Sequence, residues 1–164
     1  MNTGPHAPRT DPAADLVGTL RQRGLTLATA ESLTAGMLSS RVADVPGASQ
    51  VLLGGVVSYA TAVKIQVLGV PRSLVEEHGV VSAACAQAMA AGVVRLTGAG
   101  LGIATTGVAG PDPQDGHPVG TVHLGLAAGP RVWSRELSLT GDRAQIRAGT
   151  VRAALEWVLE HLDT

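Results

Sequence analysis

The chain has 164 residues, 45% of them hydrophobic, and carries 12 basic against 13 acidic side chains for a net charge of -1. That length suits one domain with a buried core and is short for two, and the charge balance lacks the basic stripe that nucleic acid or an acidic membrane surface requires. A single cysteine, Cys85, excludes a disulfide framework within the chain, while the absence of a bilayer-length apolar run and of a signal-peptide core in residues 1 to 12 makes a cytoplasmic location the expectation.

Residues 1 to 13, with Pro5, Pro8 and Pro12 among polar neighbours, are expected to form a disordered tail ahead of one domain over 14–164. Leu16, Val17 and Leu20 recur at helical spacing between Asp15 and Arg23, and Gly24 is placed to end that helix. An apolar strand over 25–30 follows, then a helix opened by Ser32 and running to about Val42, then a turn at Asp44-Val45-Pro46-Gly47. Residues 51–58 are β-branched and apolar and are expected to be a buried strand. A short helix through Lys64 ends at Gly69, a second runs from Pro71 to His78 with Gly79 after it, and 82–97 forms an alanine-rich helix containing Cys85. A short strand over 101–105 empties into Thr106-Gly107-Val108-Ala109-Gly110-Pro111. Segments 119–127 and 132–139, joined across Ala128-Gly129-Pro130, are expected to pair as an antiparallel hairpin. The last element, 142–162, is an amphipathic helix with Asp142 at its start and Ile146, Val151, Leu155, Val158 and Leu162 on one side.

Strands alternating with helices, then a hairpin and a closing helix, predict an α/β fold: a three-layer α/β/α sandwich with a mixed, mostly parallel sheet and a C-terminal antiparallel hairpin. The core must be aliphatic, since the aromatic residues are only Tyr59, Trp133 and Trp157. In such sheets ligands gather beyond the carboxyl ends of parallel strands. Ser32, Tyr59 and the loop at Thr105, Thr106 and Gly107 each follow a predicted strand, so one pocket can hold all three.

The composition singles out a base for Ser32. Eleven of the 12 basic side chains are arginine, and Lys64 is the only lysine. An arginine cannot lose its proton in a protein, whereas an ammonium in apolar surroundings can, and Val63, Ile65, Val67 and Leu68 flank Lys64. Ser32, Lys64 and Tyr59 are therefore a candidate catalytic set in which lysine activates a serine nucleophile. Ser32 would have the unpaired amides of a helix start beside it as oxyanion donors. The structural alternatives are a capping serine, a solvated lysine and a rim tyrosine.

The runs T-A-E-S-L-T-A-G at 29–36, G-G-V-V-S-Y-A-T-A-V-K at 54–64, T-G-V-A-G-P-D at 106–112, P-V-G-T-V at 118–122 and G-D-R at 141–143 resemble, in order and spacing, the CinA C-terminal domain family over about residues 16 to 162. That family includes stand-alone nicotinamide-nucleotide amidases. The resemblance implies hydrolysis of the carboxamide of nicotinamide mononucleotide in pyridine nucleotide salvage, with Ser32 as nucleophile, Lys64 as base, Tyr59 as their neighbour and the Thr105 to Gly107 loop in the pocket. Thr34 and Gly110 join the expected substrate-binding residues. The chain departs from the family at Thr61 and Ala62, where an asparagine and a glutamate are common, and at Pro113-Gln114-Asp115-Gly116, which replaces a glycine-rich continuation.

Arg143 and Arg147, one helical turn apart, are a candidate phosphate fork, the alternative being a solvated helix start. Glu31 either orients the site or faces away from it. His78, His117 and His123 lack metal-ligand spacing, so no metal and no cofactor is expected. The expected partners are a small pyridine nucleotide and further copies of the chain. A non-catalytic nucleotide-binding or protein-interaction module of the same family is the alternative function.

Overall fold

The computed structural model describes residues 11–164. The first helix, α1 (Pro12–Arg23), starts where the sequence favours it more than composition suggested: Asp11 caps it by accepting from the Ala13 amide at 3.1 Å, and Pro12 occupies the first turn, where its missing N–H is no loss. Residues 12 and 13 are thus helical rather than tail, and the rest of the tail expectation lies outside the described residues. Gly24, at φ 63°, closes the helix as expected.

The chain continues through β1 (Leu27–Glu31), α2 (Met37–Ala43), β2 (Leu52–Val57), α3 (Thr61–Gln66), α4 (Arg72–His78), α5 (Ala83–Thr97), β3 (Leu101–Gly107), β4 (Thr121–Ala128), β5 (Arg131–Ser138) and α6 (Arg143–Leu162). The strands form one sheet in the order β2-β1-β3-β4-β5. β1, β2 and β3 run parallel, β4 runs antiparallel to β3, and β5 pairs antiparallel with β4, the mixed sheet and C-terminal hairpin that the element pattern predicts.

Two cores sandwich this sheet. On one side α1, α2 and α6 bring Leu16, Leu20, Leu38, Ile146, Leu155 and Trp157 against Leu27, Ile103, Val122, Leu124 and Leu126. On the other, α5 brings Met89 and Val93 against Ala28, Ala30, Ala104 and Ala127. Small residues on that face let the helix lie almost on the strands: a Cβ at Gly125 would come within 2.0 Å of the Ala86 carbonyl oxygen.

The expected buried strand over 51–58 is instead the edge of the sheet, with Leu53 and Val57 about half exposed. Only β1 covers its flank, because the chain turns back through α3 to α5 to place β3 on the other side of β1. No helix among the described residues is long and apolar enough to cross a membrane.

Candidate active site

β1, β2 and β3 end side by side, and that is where the site forms. A cavity of about 150 Å³ opens there, lined among others by Ser32, Leu33, Tyr59, Lys64, Thr106, Gly107, Gly110, Asp112 and Arg143. Parallel register makes this meeting unavoidable: Glu31 pairs with both Val57 and Thr105, so Ser32, Ser58 and Thr106 follow at one level, the first two beyond their strands and Thr106 still within β3.

Lys64, from α3, is 2% exposed, and its Nζ stands 3.0 Å from Ser32 Oγ, 2.7 Å from the Ser58 carbonyl and 3.3 Å from the Tyr59 carbonyl. Burial pushes its pKa below the ordinary lysine value of 10.5, with the nearby Cys85 thiol working against that shift. Burial in turn pushes the thiol up to about 11, so Cys85 stays protonated and supplies no counter-charge at neutral pH. Lys64 Nζ donates to all three oxygens; two are carbonyls that can only accept, whereas the third, the Ser32 hydroxyl, can also give a proton to a lysine that has lost its own.

Ser32 does not open a helix, contrary to expectation. Ala35 at φ 49° and Gly36 at φ 95° turn the chain first, and α2 begins at Met37 with Gly36 as its cap residue. The amides of that helix start do not face Ser32 either. They belong to Glu31, whose buried carboxylate accepts from the amides of Gly36 (3.0 Å), Leu38 (2.9 Å) and Ser39 (2.8 Å). It also takes the hydroxyls of Thr34 (2.7 Å), Ser39 (2.7 Å) and Thr29 (3.2 Å). Glu31 therefore faces away from the cavity and holds the turn that presents Ser32.

The other predicted site residues divide. Thr34 and Thr105 are fully buried, hydrogen-bonded to each other at 2.8 Å, and brace the Ser32 turn from behind; the Thr105 carbonyl accepts from the Ser32 amide at 2.9 Å. Neither is among the residues that line the cavity. Thr106 lines the cavity but spends its hydroxyl on the Val80 carbonyl at 2.8 Å. Tyr59 reaches Lys64 only through its main chain, because its hydroxyl accepts from Arg143 Nη2 at 2.8 Å; a proton relay through that hydroxyl is not built here. Arg143 lines the cavity and also donates to the Gly110 carbonyl at 2.6 Å. Arg147 does not share this surface, since it bonds the carbonyls of Leu33 and Thr34 at 2.8 and 3.2 Å. The two arginines are no fork. Leu33, Asp112 and Gln114, which were not among the predicted site residues, also line the cavity; Asp112 closes the family-like run at 106–112, and Gln114 stands in the stretch that departs from the family pattern.

Beside Thr106 in the β3–β4 register lies His123, paired across β5 with Glu136. It is 8% exposed and its Nδ1 has no partner among the described residues. Burial lowers its pKa below the ordinary 6.5, Glu136 opposes the shift and His117 adds to it. The folded chain therefore takes up this proton less readily than the unfolded one. The associated stability is fully present above pH 6.5, begins to be lost as pH falls through that value, and is gone below the lower folded-state pKa. Melting at pH 5 and pH 7.5 checks this: His123→Gln is expected to lose less of its Tm on acidification than the parent chain, and equal losses would refute it.

Among the described residues no group of three or more histidine, cysteine, aspartate or glutamate side chains is placed to hold a metal ion.

Known proteins share this architecture and its sequence. In structure, the chain is similar to a competence-damaged protein (CinA) superfamily protein from Klebsiella pneumoniae, with a TM-score of 0.90, 33% identity and coverage of 93% of this chain and 96% of that one. A CinA superfamily protein from Enterobacter cloacae aligns with a TM-score of 0.91 at 27% identity over 99% of both chains. In sequence, it is 52% identical over 143 residues to a CinA-like protein of Frankia casuarinae, covering 87% of this chain and 33% of that protein. A putative competence-damage inducible protein of Geobacillus kaustophilus is 48% identical over 144 residues, covering 87% of this chain and 35% of that protein. The chain thus spans about a third of the length of these curated relatives. A model of the CinA C-terminal domain matches residues 9–162. With nearly its whole length matched and about half of the aligned residues identical in such relatives, the chain belongs to the CinA C-terminal domain family.

Proposed function

We propose that the chain is an amidohydrolase that cleaves the carboxamide of a pyridine mononucleotide, turning nicotinamide mononucleotide and water into nicotinic acid mononucleotide and ammonia in the cytoplasm. The observation that supports this reading most is the Lys64 amine set 3.0 Å from the Ser32 hydroxyl, with its remaining donors occupied by carbonyls. Ser32 Oγ attacks the carboxamide carbon while its proton passes to Lys64 Nζ. The tetrahedral oxyanion is held by backbone amides, and its collapse breaks the C–N bond as the lysine returns the proton to the departing nitrogen. Ammonia leaves an ester on Ser32. Water, giving its proton to Lys64, attacks that ester and releases the carboxylic acid and the free serine.

The cavity has room for the amide-bearing ring, with the rest of a nucleotide extending past the exposed rim where Tyr59 and Arg143 stand. In this reading Arg143, which lines the cavity, meets the phosphate. Charge-assisted bonds of this kind are worth about 1.5–3 kcal/mol, so Arg143→Met is expected to raise KM for the mononucleotide roughly 10- to 150-fold. Nicotinamide riboside, which lacks the phosphate, should be processed equally by both proteins; an equal loss on both substrates would remove the phosphate role.

Incubating the purified chain with nicotinamide mononucleotide and measuring ammonia tests the activity itself. Release that stops in Ser32→Ala supports it, and no release with intact fold favours a non-catalytic binding module.

A further inference from the structure

The inference concerns how the oxyanion is held and rests on the amidase reading above. The carbonyl and N–H of a trans peptide point in opposite directions, so a carbonyl tied on one side fixes where the next residue's amide points on the other. Around Ser32 these ties are complete. The Ser32 amide is consumed by the Thr105 carbonyl at 2.9 Å, and the Ser32 carbonyl accepts from the Ala35 amide at 3.1 Å, which turns the Leu33 N–H outward from the turn. The Leu33 carbonyl accepts from Arg147 Nε at 2.8 Å, and this turns the Thr34 N–H away from the arginine. Neither the Leu33 nor the Thr34 amide has a hydrogen-bond partner among the described residues, although both residues are buried. Buried unpaired amides are rare and unfavourable. Two in succession, beside a nucleophile and with Leu33 lining the cavity, are what a developing oxyanion takes up.

We infer that the amides of Leu33 and Thr34 form the oxyanion hole of Ser32, and that Arg147 is the positioning residue that aims them. Its guanidinium spans two successive carbonyls of the turn, which a flexible point charge such as lysine cannot do in the same geometry. Glu31, at the end of β1, anchors the far end of the same turn, so the turn is gripped from β1 on one side and from α6 on the other.

The test compares the parent chain with Arg147→Lys and Arg147→Met on nicotinamide mononucleotide and on nicotinamide riboside. Loss of aimed oxyanion donors lowers turnover by about 10²–10³. The expected result is that fall in kcat for Arg147→Met, a smaller one for Arg147→Lys, nearly unchanged KM, and the same factor on both substrates. Affinity for nicotinaldehyde, whose adduct with Ser32 carries the tetrahedral oxygen, should fall in step with kcat/KM, while binding of the product mononucleotide stays constant. A rise in KM confined to the phosphorylated substrate would make Arg147 a phosphate ligand and overturn the inference. So would unchanged kcat in either variant, or product binding lost in proportion to rate, which marks a merely structural role. If the parent chain releases no ammonia from either substrate, the amidase reading fails separately. The nitrophenol burst from p-nitrophenyl acetate then decides: a Ser32-dependent burst slowed in Arg147→Met sustains the oxyanion hole, and a burst of parental rate, or none, ends it.

Discussion

Replacing Lys64 with arginine is expected to lower ammonia release from nicotinamide mononucleotide by at least about a thousandfold, within the range that loss of a catalytic base produces. Charge is conserved in that change and chemistry is not. A guanidinium has donors only and stays protonated, so nothing at position 64 could accept the Ser32 proton. Because Lys64 is 2% exposed, the larger head also has little space, and Lys64→Met serves as the companion variant, of similar length and without a base. Each should melt as one cooperative transition when rates are compared. In the parent chain kcat/KM should rise with pH along a limb set by Lys64 and lying below 10.5, since burial lowers that pKa and only the neutral amine acts as base. The residual activity of Lys64→Met should lack the limb. Ser32→Ala should lose as much as Lys64→Met, and the double variant no more, since the two groups act as one unit. A rising limb that survives in Lys64→Met would assign the base elsewhere.

This pair was legible in the sequence because composition isolated it. One lysine among eleven arginines, placed after an apolar strand, leaves few other candidates for a base, and three strands ending in polar or glycine residues point to one shared edge. The layered fold was legible for a related reason, that alternating apolar strands and helices have few ways to bury both faces. What stayed hidden depended on contacts across the chain. Arg143 and Arg147 share a helical face by spacing, yet the first reaches Tyr59 and Gly110 at the cavity and the second reaches the carbonyls behind Ser32. Strand order hid the edge position of β2, because apolarity alone reads as burial. The start of α2 was misplaced because Ser32 is a good capping residue in isolation. Ala35 and Gly36 with positive φ, and a carboxylate one residue earlier, overrule it.

That carboxylate carries the second large effect. Glu31→Gln is expected to lower stability by about 3 kcal/mol, or roughly 6–12 °C in Tm for a domain of this size. The substitution preserves volume, so cavity formation contributes nothing. The loss comes from hydrogen-bond polarity. Both oxygens of Glu31 accept, one from the amides of Gly36 and Leu38 and the hydroxyl of Thr34, the other from Ser39 and Thr29. A glutamine must set an NH2 against one of those donor groups, leaving buried N–H and O–H bonds facing a donor. The helix start also loses its negative charge. Since the same turn places Ser32, turnover should fall with stability, and a displacement of about 1 Å at the nucleophile suffices for roughly 10² in rate. Thermal melts and kcat at a temperature where the variant is fully folded separate the two effects. A variant that melts within 2 °C of the parent, or that turns over at the parental rate once folded, would show that the turn is held by its backbone alone and that Glu31 is dispensable to it.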